Sequence, residues 1–434
     1  MSGTTNDPAA ATVDVVVVGG GLAGLAAAVA AADAGRTVTL LDAHGLGGRA
    51  RTQDRNGYLF NTGPHALYVD GPGHRVLQGF GIDPAGSAPD AKHGQALLGG
   101  RLGLLPGGPV SLLRTDLLRA SSKPKVARLL SRIPKFRAAD HASRTVNEFL
   151  ASTAIPDDAV ALLDLMVRLT TYVDAPDELS AEVAISQVQG ALGPGVRYVD
   201  GGWQAITDRL AERARRAGVD LTTGAAVTSV EPQGGRTVVR TTGHEYTAAA
   251  VVVATGTPAA AAAVIGHRPA SWDRLGPEVE AASLDLGLAR RPKHGIILGA
   301  DEPLYWSVHS DAGRLAPEGG AMAHAMRYLP PGQDPGPAEG DRRRLTELAH
   351  TAGVADADIV ESRFLRRVTV MGGFPTAAAG GLAGRPTAAV EGRDGVFVAG
   401  DWVGPVGLLG DASLASGVEA ARQAVARASM LSMA

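Results

Sequence analysis

The stretch VDVVVVGGGLAGLAAAVAAADAGRTVTLLD, Val13 to Asp42, decides the fold. Val13 to Val18 is a β-branched run too short to be a helix, and it breaks at Gly19, Gly20 and Gly21, where the backbone must turn tightly. Gly19, Gly21 and Gly24 stand in G-x-G-x-x-G register. In that pattern the first glycine makes the turn, the second lets backbone N–H groups approach a pyrophosphate, and the third lets the following helix pack closely on the strand. A helix is predicted from Leu22 to Ala34, ended by Gly35, and a second strand from Thr37 to Leu41. Asp42 then falls about 20 residues past the glycines, where a carboxylate accepts ribose hydroxyls. Strand, turn, helix, second strand and acid together read as a dinucleotide site. A glycine-rich turn in some other α/β fold is the plainer alternative.

Working outward, His44 to Leu67 reads HGLGGRARTQDRNGYLFNTGPHAL. Gly45, Gly47 and Gly48 precede Arg49 and Arg51, and two guanidinium groups beside such a loop suit a diphosphate; a solvated basic loop is the other reading. At the far end of the chain, Gly395-Val-Phe-Val-Ala-Gly400-Asp401-Trp402 reads as a strand followed by an acid. Gly410-Asp411-Ala412-Ser413 then leads into a helix to about Ala428, with Asp411 predicted to cap it.

Gly47-Gly48-Arg49-x-Arg51-Thr52, Gly57-x-x-Phe60-x-x-Gly63-Pro64-His65 and the C-terminal segment resemble the FAD-dependent superfamily of phytoene desaturases, protoporphyrinogen oxidase and flavin amine oxidases. The segment SLDLGLARRPKHGIILGADEPLYWSVHSDAGRLAPEGG resembles the phytoene-desaturase branch more than the amine oxidases. The resemblance implies an α/β fold. A discontinuous Rossmann-like FAD-binding domain would comprise residues 1–75, 195–265 and 386–434. A mixed α+β substrate-binding domain would comprise 76–194 and 266–385, with a helical part at about 100–190. It further implies that Gly19, Gly21, Leu22, Ala23, Gly24 and Asp42 hold the ADP half of FAD. Gly47, Gly48, Arg49 and Arg51 would reach the diphosphate, and Val227 the adenine through its backbone. Gly63, Pro64 and His65 would lie near the flavin ring. Gly400, Asp401, Asp411, Ala412 and Ser413 would hold the ribityl, phosphate and pyrimidine side.

The activity implied is hydride removal from a hydrophobic small molecule to flavin N5, a C–C desaturation. Amine oxidation is the first alternative. It is disfavoured because Trp402 is followed by Val403-Gly-Pro-Val-Gly-Leu-Leu409, with no second aromatic residue to cage an amine. A non-enzymatic prenyl-binding protein of the Rab GDP-dissociation-inhibitor type is the second, set against the intact phosphate-binding pattern. His65, His309 and Trp402 are the residues proposed for catalysis. Either histidine would take the coupled proton, and for each an ordinary structural role is the competing reading. The electron acceptor, oxygen or a quinone, leaves no readable motif.

Composition narrows the rest. At 434 residues the chain exceeds one compact core. Its 45% apolar and 20% charged residues are those of a globular protein, and a net charge of -3 gives no reason to expect nucleic acid. Without cysteine there is no disulfide, no thiolate zinc site and no flavin tethered through sulfur. The 11 histidines show no metal-ligand spacing, so no metal is expected. Met1 to Thr12 reads as a disordered tail rather than a signal peptide, which leaves a cytoplasmic location as the default. Arg101 to Arg137 carries nine Lys or Arg against one Asp with leucines at helical spacing. It reads either as a peripheral contact with an anionic membrane or as helices with a solvated basic face. Thr145 and Glu148 have capping-box spacing, and further helices are expected after Pro156 and from Ala181 to Gln189.

Overall fold

The computed structural model describes residues 11–90 and 92–433. Two seven-stranded sheets organise it. In the first, the order is Asp220–Thr223, Val38–Asp42, Ala11–Val18, Glu245–Val253, Arg236–Thr241, Val227–Gln233, with Val396–Val398 added alongside Glu245–Val253. Ala11–Val18 runs parallel to both of its neighbours. Val15 to Val18 are buried, as expected for a central parallel strand covered on both faces. Expected tail residues Ala11 and Thr12 belong to this strand, and the rest of that expected tail lies outside the described residues.

Helix Leu22–Asp33 has almost no polar face because it is enclosed. Helix Leu409–Met433 packs on it so closely that a Cβ at Gly417 would fall 2.3 Å from the Ala23 carbonyl oxygen. Three distant pieces of chain therefore build one sheet and its cover.

The second sheet runs Ile359–Met371, Val279–Leu288, Ala321–Tyr328, Leu304–Val308, Ile296–Gly299, Gln95–Leu98, Arg101–Leu104. Side chains alternate across it with period two. Ala282, Leu284 and Leu286 bury against Leu345 and Leu348 of helix Ala338–Thr351. Ala281, Tyr305, Met326 and Leu298 face the opposite way, toward Leu162 and Leu165 of helix Asp157–Thr171. Thr145 and Glu148 form the expected capping box, each side chain accepting the other's backbone N–H.

Arg101 to Arg137 departs from the expectation of a helical stretch. Its first residues, Arg101–Leu104, pair with Gln95–Leu98 in a hairpin. Gly99 and Gly100 form the two-residue turn, at φ 58° and 74°, the conformation such turns demand. Helices Pro109–Arg114 and Lys123–Arg132 follow.

Candidate functional site

One cavity of about 1400 Å³ lies between the two sheets, larger than a single drug-sized ligand requires. The fingerprint loop forms one end. Gly19, at φ 106°, could not carry a Cβ, which would sit 2.4 Å from the Ala254 carbonyl oxygen. At Gly24 the clash would be with the Gly19 carbonyl oxygen, at 1.8 Å. Gly21 differs: a Cβ there meets nothing within 4 Å, because the residue faces the cavity. That is the arrangement a pyrophosphate needs, with bare backbone at the mouth of a helix.

Asp42 lines the cavity and also holds the loop. Oδ2 accepts the Gly20 N–H at 2.7 Å and Oδ1 the His44 N–H at 2.8 Å. Leu22, Ala23, Gly47, Gly48, Arg51 and Val227 line the same end. Gly24 does not, consistent with its packing role. Arg49 is tied down, Nη1 donating to Asp401 Oδ2 at 2.7 Å and to the Val370 carbonyl at 3.0 Å. Asp401 is buried and also accepts the Gly372 N–H.

Gly63, Pro64 and His65 line the middle of the cavity. The Gly63 carbonyl accepts from His65 Nδ1 at 2.9 Å, so Nδ1 carries the proton and Nε2 keeps its lone pair. Burial pushes His65 down to about 4, so it is neutral at pH 7. Tyr172 ends helix Asp157–Thr171 at φ 63°, an uncommon backbone for a bulky residue. It also lines the cavity, and its hydroxyl donates to the Pro64 carbonyl.

Four sequence expectations are corrected. His309 does not reach the cavity: it is buried behind the wall, stacked 3.9 Å from Tyr198, with Nε2 3.0 Å from the Tyr305 hydroxyl. Burial also holds it well below the ordinary histidine range. Trp402 is likewise interior, packed edge-on against Trp272, and does not line the cavity. Asp411 is not a cap of its own helix. It lies inside Leu409–Met433 and accepts the Gly73 N–H at 2.9 Å, serving the first turn of helix Pro72–Gly79 instead. Burial raises it to about 6. Ala412 turns into the core and is absent from the cavity wall, whereas Gly400, Asp401, Asp411 and Ser413 are in it.

Sequence reading missed the charged cluster on the second sheet. Arg363, Asp285, His324 and Ser307 are cross-strand neighbours on four adjacent strands. Asp285 is fully buried. Oδ1 accepts from Ser283 Oγ and from His324 Nδ1, both at 2.6 Å, and Oδ2 accepts from Arg363 Nε and Nη2 at 3.0 and 2.6 Å. Burial alone would raise the Asp285 carboxyl, but His324 and Arg363 beside it outweigh that and hold it low. The signal that could have found this row was the alternation Ser283-x-Asp285 in an otherwise apolar strand.

A glycine-lined dinucleotide loop opening into a large cavity, closed by a second sheet, is the architecture of a flavoprotein oxidoreductase. The model of the family described as flavin containing amine oxidoreductase matches residues 22–425, and the chain belongs to that family. It is an FAD-dependent oxidoreductase. Wild-type putrescine oxidase bound to putrescine superposes with a TM-score of 0.70 at 16% identity, covering 97% of this chain and 99% of that one. Cyclohexylamine oxidase from Brevibacterium oxydans IH-35A does so with a TM-score of 0.70 at 18% identity and the same coverages, 97% and 99%. At such identities these two speak for the fold. In sequence, a 72-residue stretch is 43% identical to a carotenoid 3,4-desaturase of Haloarcula japonica, covering 16% of this chain and 14% of that protein. Family membership removes the ground for the non-enzymatic prenyl-binding reading. Among the described residues, no helix is long and apolar enough to cross a membrane.

Proposed function

We propose that the protein desaturates a neutral, largely hydrocarbon small molecule, taking hydride and proton from adjacent positions. The observation that carries this reading is the character of the cavity's substrate side. Leu105, Leu169, Ile296, Leu298 and Met326 line it together with Tyr172. Among the described residues, the carboxylates lining the cavity are Asp42, Asp401 and Asp411. Asp42 is engaged by the fingerprint loop, Asp401 by Arg49, and Asp411 by helix Pro72–Gly79. An ammonium group would lose its hydration here without gaining a free anionic partner.

The residues that line the fingerprint end would hold FAD, which when bound supplies the two-electron acceptor. The protein's part is to exclude water and fix the guest against the Gly63-Pro64-His65 turn, where neutral His65 offers Nε2 as a hydrogen-bond acceptor. The division at about residues 76, 195, 266 and 386 belongs to the same proposal, with one sheet serving the cofactor and the other the substrate.

Amine oxidation is the competing reading, favoured by the names of the amine oxidases that share the fold. Anaerobic mixing with polyenes, polycyclic hydrocarbons and amines decides between them. The expected result is bleaching of the flavin by a member of the first two classes; bleaching by amines alone reverses the assignment.

We propose also that the protein meets an anionic membrane through its basic segment. On helix Pro109–Arg114, Val110 is 63% exposed and Leu113 73%, with Leu105 of the cavity wall just before them. Lys and Arg side chains of Lys123–Arg132 supply the attraction to acidic headgroups. The protein is expected to co-sediment with phosphatidylcholine–phosphatidylserine vesicles at low salt, and Leu113→Asp to weaken this. Equal retention of both, or none of the wild type, ends the membrane reading.

A further inference from the structure

We propose that Arg363 anchors an oxygen atom of the substrate, a carbonyl or hydroxyl oxygen, against the otherwise apolar wall of the cavity. The inference rests on the neutral-substrate reading and names what that substrate must carry.

The argument begins with the donor inventory of arginine, which has five N–H groups in a planar fork and no acceptor. Arg363 uses three. Nε donates to Asp285, and Nη2 donates to Asp285 and to the Asn61 carbonyl. Nη1 has no hydrogen-bond partner among the described residues, and Arg363 lines the cavity. A guanidinium nitrogen left without an acceptor in a largely enclosed site forfeits the strong bond that ionised donors make. A guest oxygen would supply that acceptor.

Asp285 settles which guests qualify. Its two oxygens already accept four hydrogen bonds, from Ser283, His324 and twice from Arg363. It lies behind the wall with no exposed surface, so it neutralises Arg363 without presenting a carboxylate to the cavity. The cavity therefore meets two N–H donors and no free anion. An oxygen acceptor matches that surface, while an ammonium group brings donors to donors, a mismatch that acts as selection against amines.

The surroundings fit the same guest. Ser283, on the strand next to Arg363, and Ser307, at the other end of the row, also line the cavity, their hydroxyl oxygens retaining lone pairs or protons for a second contact. Tyr198 and Tyr305, 3.3 Å apart through their hydroxyls, extend this polar band across the sheet. Beyond it the same face turns to Ala281, Leu298 and Met326. The cavity thus has a polar strip on an oily wall, which fixes one end of a long molecule and so selects which carbon atoms reach the cofactor side.

The test uses the FAD-loaded protein and two probes with one alkyl chain: 1-octanol and octylamine, followed by calorimetry and by perturbation of flavin absorbance. Octanol is expected to bind about tenfold or more tighter than octylamine, a ratio modest for a site built to meet an oxygen. Arg363→Met should erase that preference. Because it strands the buried Asp285 charge and could unfold the protein, the double variant Arg363→Met/Asp285→Asn is measured beside it. It removes both charges and should bind both probes within about twofold of one another. Equal binding of the two probes by the wild type overturns the anchor while leaving the hydrocarbon reading intact. Tighter binding of octylamine overturns both. No binding of either probe, or a preference that survives the double variant, also overturns the anchor.

Discussion

Gly21→Val is expected to yield a folded, colourless protein. The three glycines of the fingerprint are not equivalent, and their surroundings say why. Side chains at Gly19 and Gly24 would collide with the backbone oxygens of Ala254 and Gly19, so substitution there damages the sheet-to-helix junction itself. A side chain at Gly21 meets no protein atom and projects into the cavity where the diphosphate must approach. Its backbone is extended, with φ −77°, a conformation valine adopts freely. The variant should keep the wild-type circular dichroism spectrum and lose at least about nine-tenths of its FAD, since displacement of backbone donors from a phosphate is worth a few kcal/mol. Gly24→Val should lose soluble expression. If Gly21→Val is purified yellow, with full FAD released on denaturation, the loop does not bind the cofactor.

Asp285→Ala should be the most destabilising single substitution on the second sheet. It strips the buried partner from Arg363, His324 and Ser283 at once, and removal of one member of a buried charged set costs about 3–5 kcal/mol. Thermal and denaturant unfolding of the FAD-loaded protein measure it. The cost belongs to the stranded charge rather than to the lost contacts. The double variant Arg363→Met/Asp285→Asn should therefore recover more than half of the loss, a coupling that independent sites do not show. An Asp285→Ala protein that melts with the wild type would mean that water already reaches the cluster.

The cofactor half of the fold was legible because its constraints are local. Gly19, Gly21, Gly24 and Asp42 sit at spacings that only a tight turn and a following helix explain, and Thr145 with Glu148 announces a helix start in the same way. The substrate half was harder to read. Strand Ile359–Met371 is one edge of its sheet and carries Glu361, Arg363, Arg366 and Arg367, so its charge masks the alternation. Ala321–Tyr328 is alanine-rich and buried, and its small residues carry little strand preference. His309 and Trp402 were misplaced because sequence distance from a motif does not say which side of a wall a ring occupies. The Arg363–Asp285 pair was invisible for a simpler reason: its partners meet only once the strands are in register.

The strand Ala11–Val18 lies between Val38–Asp42 and Glu245–Val253, and its helix is roofed by Leu409–Met433. During synthesis the first flank forms early, but Val15 must wait for Ala250, and Ala23 for Gly417, to leave the ribosome. A nascent chain therefore displays a valine edge and an alanine helix for most of its translation, surfaces that invite wrong pairing and that holding chaperones recognise. Cofactor loading becomes an event that follows synthesis of Leu409–Met433.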